Sequence, residues 1–217
     1  MPEPNLTYWR DKTLYVNPSN RCTNQCMFCI RNYDTGVFGF DLGLDRDPTP
    51  EELAQAIRES WRTEFIEAAI VGLGEPLLNL EGTLASVRTV KSLADVPVRI
   101  NTNGQALLMY PRRDIPRELA EAGMDYVQVS LNAQDSRTYV KLCQPSFGKK
   151  TYGSMLRFAE RCTKYMTVEL SVVRVPSVDI DACRRIAEGM GISFRVREYK
   201  GPSDLLVDVA RVMGTTV

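Results

Sequence analysis

The 217 residues suit one domain with a sizeable core and are too few for two ordinary ones. Basic and acidic side chains balance at 27 each, so no net charge argues for nucleic acid or an anionic membrane as a partner. Histidine is absent, which removes the commonest general acid/base, the Ser-His and Cys-His nucleophile pairs and every zinc site that needs imidazole.

The opening stretch MPEPNLTYWRDK lacks the charged-then-apolar layout of a secretory signal, and no apolar run approaches a membrane span. The expectation is a cytoplasmic, reducing location without membrane contact, where clustered cysteines bind metal or do redox work more often than they form disulfides. The first expected strand is TLYVN from Thr13, followed by the cysteine-bearing segment RCTNQCMFC and a glycine-rich, aromatic loop over 36–47, read as a lid, a partner contact or a plain connection. A helix starts at TPEELAQAIRESW, where Thr49 can cap, Pro50 suits the first helical position and Glu52 completes a capping box.

Strands then alternate with helices: FIEAAIVG from Phe65, LEGTLASVRTVKSL, VRINTN from Val98, IPRELAEAG, YVQVSLN from Tyr126, DSRTYVKLC and YGSMLRFAERC, TVELSVVRV from Thr167, DIDACRRIAEGMG and SFRVREY from Ser193. The strands are rich in β-branched and aromatic residues, and Gly123 and Gly189 or Gly191 stand where helices should stop. Helical crossovers between successive strands imply a parallel sheet. A closed eight-unit barrel takes ~250 residues, so the expected fold is an α/β, six-stranded parallel (βα)6 partial TIM barrel, with a flat doubly wound sheet as the other arrangement. One domain is expected over 1–217, its core at 13–199, with the tail at 200–217 either a short helix over the barrel mouth or a frayed end. In either layout ligands gather at the carboxyl ends of the strands.

Three of the six cysteines, Cys22, Cys26 and Cys29, form CxxxCxxC directly after the first strand. Thiolates select zinc, copper(I) or iron–sulfur clusters. A structural zinc site wants four ligands, and neither a second CxxC nor a histidine exists to complete one. Cys143, Cys162 and Cys183 lie singly in separate helical segments and read as small buried hydrophobes. A cubane held by three thiolates leaves one iron open for a substrate or cofactor.

The spacing, with aromatic Phe28 immediately before the last cysteine, resembles the signature of the radical S-adenosylmethionine (SAM) superfamily. Other strand ends resemble it too. GLGEP, with Gly74, Glu75 and Pro76, is similar to the family's glycine-glycine-glutamate motif, although a leucine stands where many members have glycine. Asn101-Thr102-Asn103-Gly104 is similar to its TNG, and Ser130-Leu131-Asn132-Ala133 to its SLNA. Each alone reads equally as turn chemistry; three at successive strand ends do not. Arg174 is a candidate partner for the SAM carboxylate or a surface arginine. Arg195, Arg197 and Tyr199 share one strand face and are candidate substrate contacts, or an outward salt-bridged edge. Val196 is a candidate to pack on adenine. Within the superfamily, LYVNPSNRCTNQCMFCIRN, the acidic-Pro-Thr entry to the first helix and VDIDACRRIAEGMGISFRVREY resemble the small proteins associated with TatD-type nucleases.

The resemblance implies that Cys22, Cys26 and Cys29 hold a [4Fe–4S] cluster, reduced by a donor such as flavodoxin or ferredoxin. SAM on the open iron would be cleaved to methionine and a 5′-deoxyadenosyl radical that takes hydrogen from a small molecule, a nucleotide or a tRNA base. It also implies a possible functional association with a TatD-type nuclease. A glycyl-radical-enzyme activase, a non-catalytic iron–sulfur carrier with Cys143, Cys162 or Cys183 as fourth ligand, and a zinc-stabilised interaction protein are the alternatives.

Overall fold

The computed structural model describes residues 5–216. Its main sheet has seven strands in the order β1 (Thr7–Arg10), β2 (Thr13–Val16), β5 (Glu67–Ile70), β6 (Val98–Thr102), β7 (Tyr126–Ser130), β8 (Thr167–Arg174) and β9 (Ser193–Glu198). All neighbours from β2 to β9 are parallel, whereas β1 runs antiparallel to β2. The six expected parallel strands are therefore present, and the sheet has one strand more than expected. That strand, TYWR, turns back through Asp11 at φ 52°. No glycine marks this hairpin, which removed the usual signal.

Between β2 and the first helix, β3 (Gly36–Val37) and β4 (Phe40–Asp41) form a small hairpin. Its two turn residues, Phe38 and Gly39, both have positive φ, 57° and 87°, as a two-residue I′ turn requires. The hairpin packs on the N-terminal strands: Phe40 meets the Trp9 ring edge-on at 4.8 Å and Phe38 meets Tyr15 at 5.7 Å. The loop over 36–47 thus buttresses the outer edge of the sheet.

The helices are α1 (Pro50–Ser60), α2 (Leu80–Leu93), α3 (Ala106–Met109), α4 (Ile115–Ala122), α5 (Ser136–Cys143), α6 (Lys150–Cys162), α7 (Ile180–Gly189) and α8 (Ser203–Met213). The capping box forms as expected, with Glu52 N–H donating to Thr49 Oγ1 at 3.2 Å and Thr49 N–H to Glu52 at 2.7 Å. Gly123 ends α4 at φ 103°. The tail forms α8 rather than fraying; it buries Val209 and Ala210 and packs on α5, and Thr215 beyond it bonds Ser177 in the loop after β8 at 2.8 Å. Among the described residues no helix is long and apolar enough to cross a membrane.

The two faces of the sheet differ in chemistry. One side presents Leu14, Val16, Ala68, Ile70, Val98, Ile100, Val127, Val129, Leu170 and Val172, all 0% exposed, to the core. Alternation puts Tyr15, Glu67, Arg99, Asn101, Gln128, Ser130, Glu169 and Ser171 on the other. A parallel sheet covered on both faces reads as unbroken apolar runs. This one alternates, because its second face borders a polar cleft.

Candidate functional site

A cleft of about 650 Å³ opens at the carboxyl ends of the parallel strands. Cys22, Cys26, Cys29 and Phe28 line it from the segment after β2, and Gly72, Gly74 and Glu75 from the end of β5. Asn101, Thr102 and Asn103 enter from β6, Ser130 and Asn132 from β7, and Arg195, Val196, Arg197 and Tyr199 from β9. Two residues singled out from the sequence stay outside its walls. Pro76 is buried at the start of a short 3₁₀ turn, where it shapes the chain behind Glu75. Arg174 points its guanidinium at Glu198, with Nε 3.0 Å from the carboxylate, on an exposed part of the sheet.

The cysteine segment is irregular backbone, yet many of its carbonyls and side chains find named partners. Arg31 donates to the carbonyls of Asn20 (2.8 Å) and Asn24 (3.2 Å), and Asn32 Nδ2 to those of Cys26 and Met27. Asn24 is buried; its side chain donates to the Tyr139 hydroxyl (3.0 Å) and accepts from Gln105 Nε2 (2.6 Å). Backbone bonds from Gln25 to the Cys143 carbonyl (2.9 Å) and from Met27 to that of Leu142 (3.0 Å) clamp the segment to the end of α5. Such ties hold three thiols in place before any ligand binds.

All three thiols are free. No three His, Cys, Asp or Glu side chains among the described residues meet closely enough to hold a single ion. In a cubane each thiolate binds a different iron, so three sulfurs spread around one cleft fit that kind of group. The Cys22 thiol is pushed up to about 12, first by burial and then by the Glu75 charge. Cys26 is raised as well, chiefly by the neighbouring Cys143 thiol and then by burial. Loading iron must therefore expel protons from both.

Cys143 departs from the reading of three scattered cysteines. It is buried like Cys162 and Cys183, but unlike them it lies against the triplet. Its distance of more than 100 residues along the chain hid this. Tyr33, Leu73, Val173 and Lys200 also line the cleft without having been expected to. No motif marks them, and only the strand register and the loop path bring them there.

Glu75 is the best-connected acid in the site. It is 2% exposed and accepts from Leu77 N–H (3.1 Å), Thr102 Oγ1 (2.7 Å) and Asn103 N–H (2.7 Å). Burial nevertheless pushes its carboxyl up to about 7, against the lowering effect of those three bonds. A carboxylate has about four lone-pair sites, so one remains for a ligand donor. Asn103 bridges to the cysteine segment by donating Nδ2 to Thr23 Oγ1 at 2.8 Å.

Gly74 serves the chain more directly than a ligand. A Cβ there would stand 2.5 Å from the Ser19 carbonyl oxygen and also strike that of Arg21. Only glycine lets the β5 end and the cysteine segment lie this close, with Gly74 N–H donating to Ser19 (3.0 Å) and Glu75 N–H to Arg21 (2.7 Å). At the end of β7, Asn132 sits in the left-handed region at φ 53°, and its Oδ1 is buried without a partner. A buried unpaired acceptor aligned with a cleft is a vacancy for a donor.

The family model "Radical SAM superfamily" matches residues 16–187. The chain belongs to the radical SAM superfamily. Membership implies an iron–sulfur cluster and SAM, and the free-thiol triplet, the open lone pair of Glu75 and the orphaned Asn132 oxygen fit such groups. A probable GTP 3′,8-cyclase of Methanococcus aeolicus is 26% identical over 133 residues, covering 60% of this chain and 40% of the relative. A probable dual-specificity RNA methyltransferase RlmN of Thermotoga petrophila is 26% identical over 188 residues, 81% of this chain and 50% of that one. The chain thus spans half or less of the length of these curated relatives. Streptococcus suis SuiB, solved bound to S-adenosylmethionine, shares the fold at a TM-score of 0.68 and 16% identity, over 94% of this chain and 46% of SuiB.

Proposed function

We propose that this radical SAM protein is an enzyme in which Cys22, Cys26 and Cys29 hold a [4Fe–4S] cluster with one iron left for SAM. The observation that carries the reading is convergence: the triplet, Glu75, Asn101 to Asn103, Ser130 and Asn132 come from four separate strand ends and line one cleft. The six parallel strands, β2 to β9, are read as a (βα)6 part-barrel whose mouth is that cleft, within one domain.

When bound, cluster and SAM together supply reductive cleavage to a 5′-deoxyadenosyl radical that takes hydrogen from the substrate. The chain's own residues bind, orient and shield. Glu75 offers its remaining lone pair to the SAM ammonium, while Thr102 and Asn103 hold that carboxylate in place. Asn101, Ser130 and Asn132 supply short polar groups for ribose and carboxylate oxygens. Phe28 and Val196 give apolar walls, Val196 against adenine. Gly74 and Pro76 shape the turn that carries Glu75. Arg174 stays outside the cleft and acts on it only by holding Glu198, which lines it. The substrate side is read as Arg195, Arg197 and Tyr199.

Further parts of the reading rest on the sequence resemblance. They are a cytoplasmic location, a flavodoxin or ferredoxin as reductant, and kinship with the TatD-associated group, including a functional tie to a TatD-type nuclease. The test is anaerobic reconstitution, reduction and addition of SAM, with 5′-deoxyadenosine measured by chromatography. Its formation in proportion to iron supports the proposal; its absence from a fully loaded, reduced protein contradicts it.

One observation favours a second reading. Because backbone bonds from Gln25 and Met27 seat the cysteine segment on the Cys143 end of α5, a cluster with four protein thiolates would use Cys143, and the protein would then be an electron carrier. Iron content of Cys143→Ala separates the two: it stays unchanged under the enzyme reading and falls under the carrier reading.

A further inference from the structure

The polar face of the sheet carries an uneven charge inventory. Each acid near the cleft already has a partner. Glu67 accepts from Arg99 Nε (2.8 Å) and Thr13 Oγ1 (3.1 Å), and Glu169 from Gln128 Nε2 (2.6 Å). Glu75 is bound by Thr102 and Asn103, and Glu198 by Arg174. The cations of β9 are not matched. Among the described residues, neither Arg195 nor Arg197 makes an ion pair or a side-chain hydrogen bond, and Arg197 Nε is buried without an acceptor.

Their placement is specific. Two residues apart on one strand, they project to the same face, and the register sets Arg195 opposite Ser171 and Arg197 opposite Val173. Ser171 in turn pairs with Ser130 on β7. The Ser171 hydroxyl is also buried without a partner. A row of two hydroxyls therefore ends on Arg195, with Arg197 two residues on and Lys200 farther along the cleft wall. Burial and the nearby Arg195 charge both lower the pKa of Arg197. Arg195 is exposed and Arg197 half-buried, with its Nε buried and unpaired; an unpaired buried donor is costly to keep, and the group that matches a guanidinium's donor fork is a carboxylate or phosphate.

We propose that the substrate of this enzyme carries an anionic group, a phosphate or a carboxylate, which Arg195 and Arg197 receive beside Ser171. The proposal rests on the SAM reading of the cleft, since SAM brings a carboxylate of its own that would otherwise claim the same cations. Inorganic phosphate is the probe. The reconstituted protein is first saturated with SAM, then titrated with phosphate in a calorimeter, in chloride buffer at low ionic strength.

Saturable phosphate binding to the SAM-loaded protein is expected. It should weaken at least about tenfold in the Arg195→Gln/Arg197→Gln variant, since charge-assisted bonds are lost. Much of it should return in Arg195→Lys/Arg197→Lys, whose charge is kept. Three results overturn the proposal: no saturable phosphate binding to the SAM-loaded wild type, equal binding in the glutamine variant, or SAM affinity falling in step with phosphate affinity. The last would mean that the guanidiniums hold the SAM carboxylate. Phosphate binding without any SAM binding overturns the SAM reading and leaves the anion site. SAM binding without phosphate binding does the reverse.

Discussion

Replacing Glu75 by glutamine isolates the buried carboxyl that the cleft is built around. In the folded protein its proton is held up to about pH 7, against an ordinary value of 4.5. Below 4.5 both folded and unfolded chains are protonated there, so the group adds no pH dependence. Between 4.5 and about 7 the unfolded chain is charged while the folded one is still neutral, so stability falls as pH rises. The fall amounts to roughly 3 kcal/mol across that window. The chain has no histidine, so no unperturbed side chain masks the effect between pH 5 and 7.5. Glutamine abolishes the titration, but its amide turns donors toward a nest of donors from Leu77, Thr102 and Asn103. At pH 5 the variant should be about 1–3 kcal/mol less stable than the wild type. By pH 7.5 the gap should close or reverse. Urea unfolding of the metal-free protein at both pH values measures this. Identical slopes of stability against pH in the two proteins would refute the reasoning.

Gly74→Ala should destabilise the fold by roughly 2 kcal/mol or more and lower iron loading, because the added methyl meets the Ser19 and Arg21 carbonyls. Gly72→Ala should be milder, since there the methyl meets chiefly the Asn17 side-chain oxygen; thermal unfolding and iron assays compare the two. Single Ala substitutions at Cys22, Cys26 and Cys29 should each abolish stable iron loading, whereas Cys162→Ala with Cys183→Ala should keep it. Iron loading of the wild type should improve as pH rises toward 9, because the Cys22 and Cys26 thiols must give up protons that burial makes hard to release. A flat profile would contradict that assignment.

Much of the parallel sheet was legible because each strand and helix carried its own local pattern. LEGTLASVRTVKSL became α2 over the same residues, and Thr49 and Glu52 formed their box. The motifs were legible for a different reason: they sit at strand ends, where topology obliges them to converge. Features made by tertiary contact were not legible. Strand β1 exists because Tyr8 stacks on Tyr15 at 4.9 Å and donates its hydroxyl to the Val71 carbonyl, and neither is a local signal. The closeness of Cys143 to Cys26 depends on how α5 meets the cysteine segment. The role of Gly74 was likewise not legible: the close approach it permits is of chain to chain. Arg195 and Arg197 were ambiguous between edge and interior until the register with Ser171 and Val173 placed them on the cleft.

The central claim is that the three-cysteine set leaves one iron open and that SAM occupies it. Hyperfine spectroscopy on the reduced, reconstituted protein with SAM labelled by 15N at its amino group and 17O at its carboxylate reads this directly. Strong coupling of both labels to the cluster, unchanged in Cys143→Ala, is the expected result. A cluster spectrum indifferent to labelled SAM, or a signal lost when Cys143 is replaced, would contradict it.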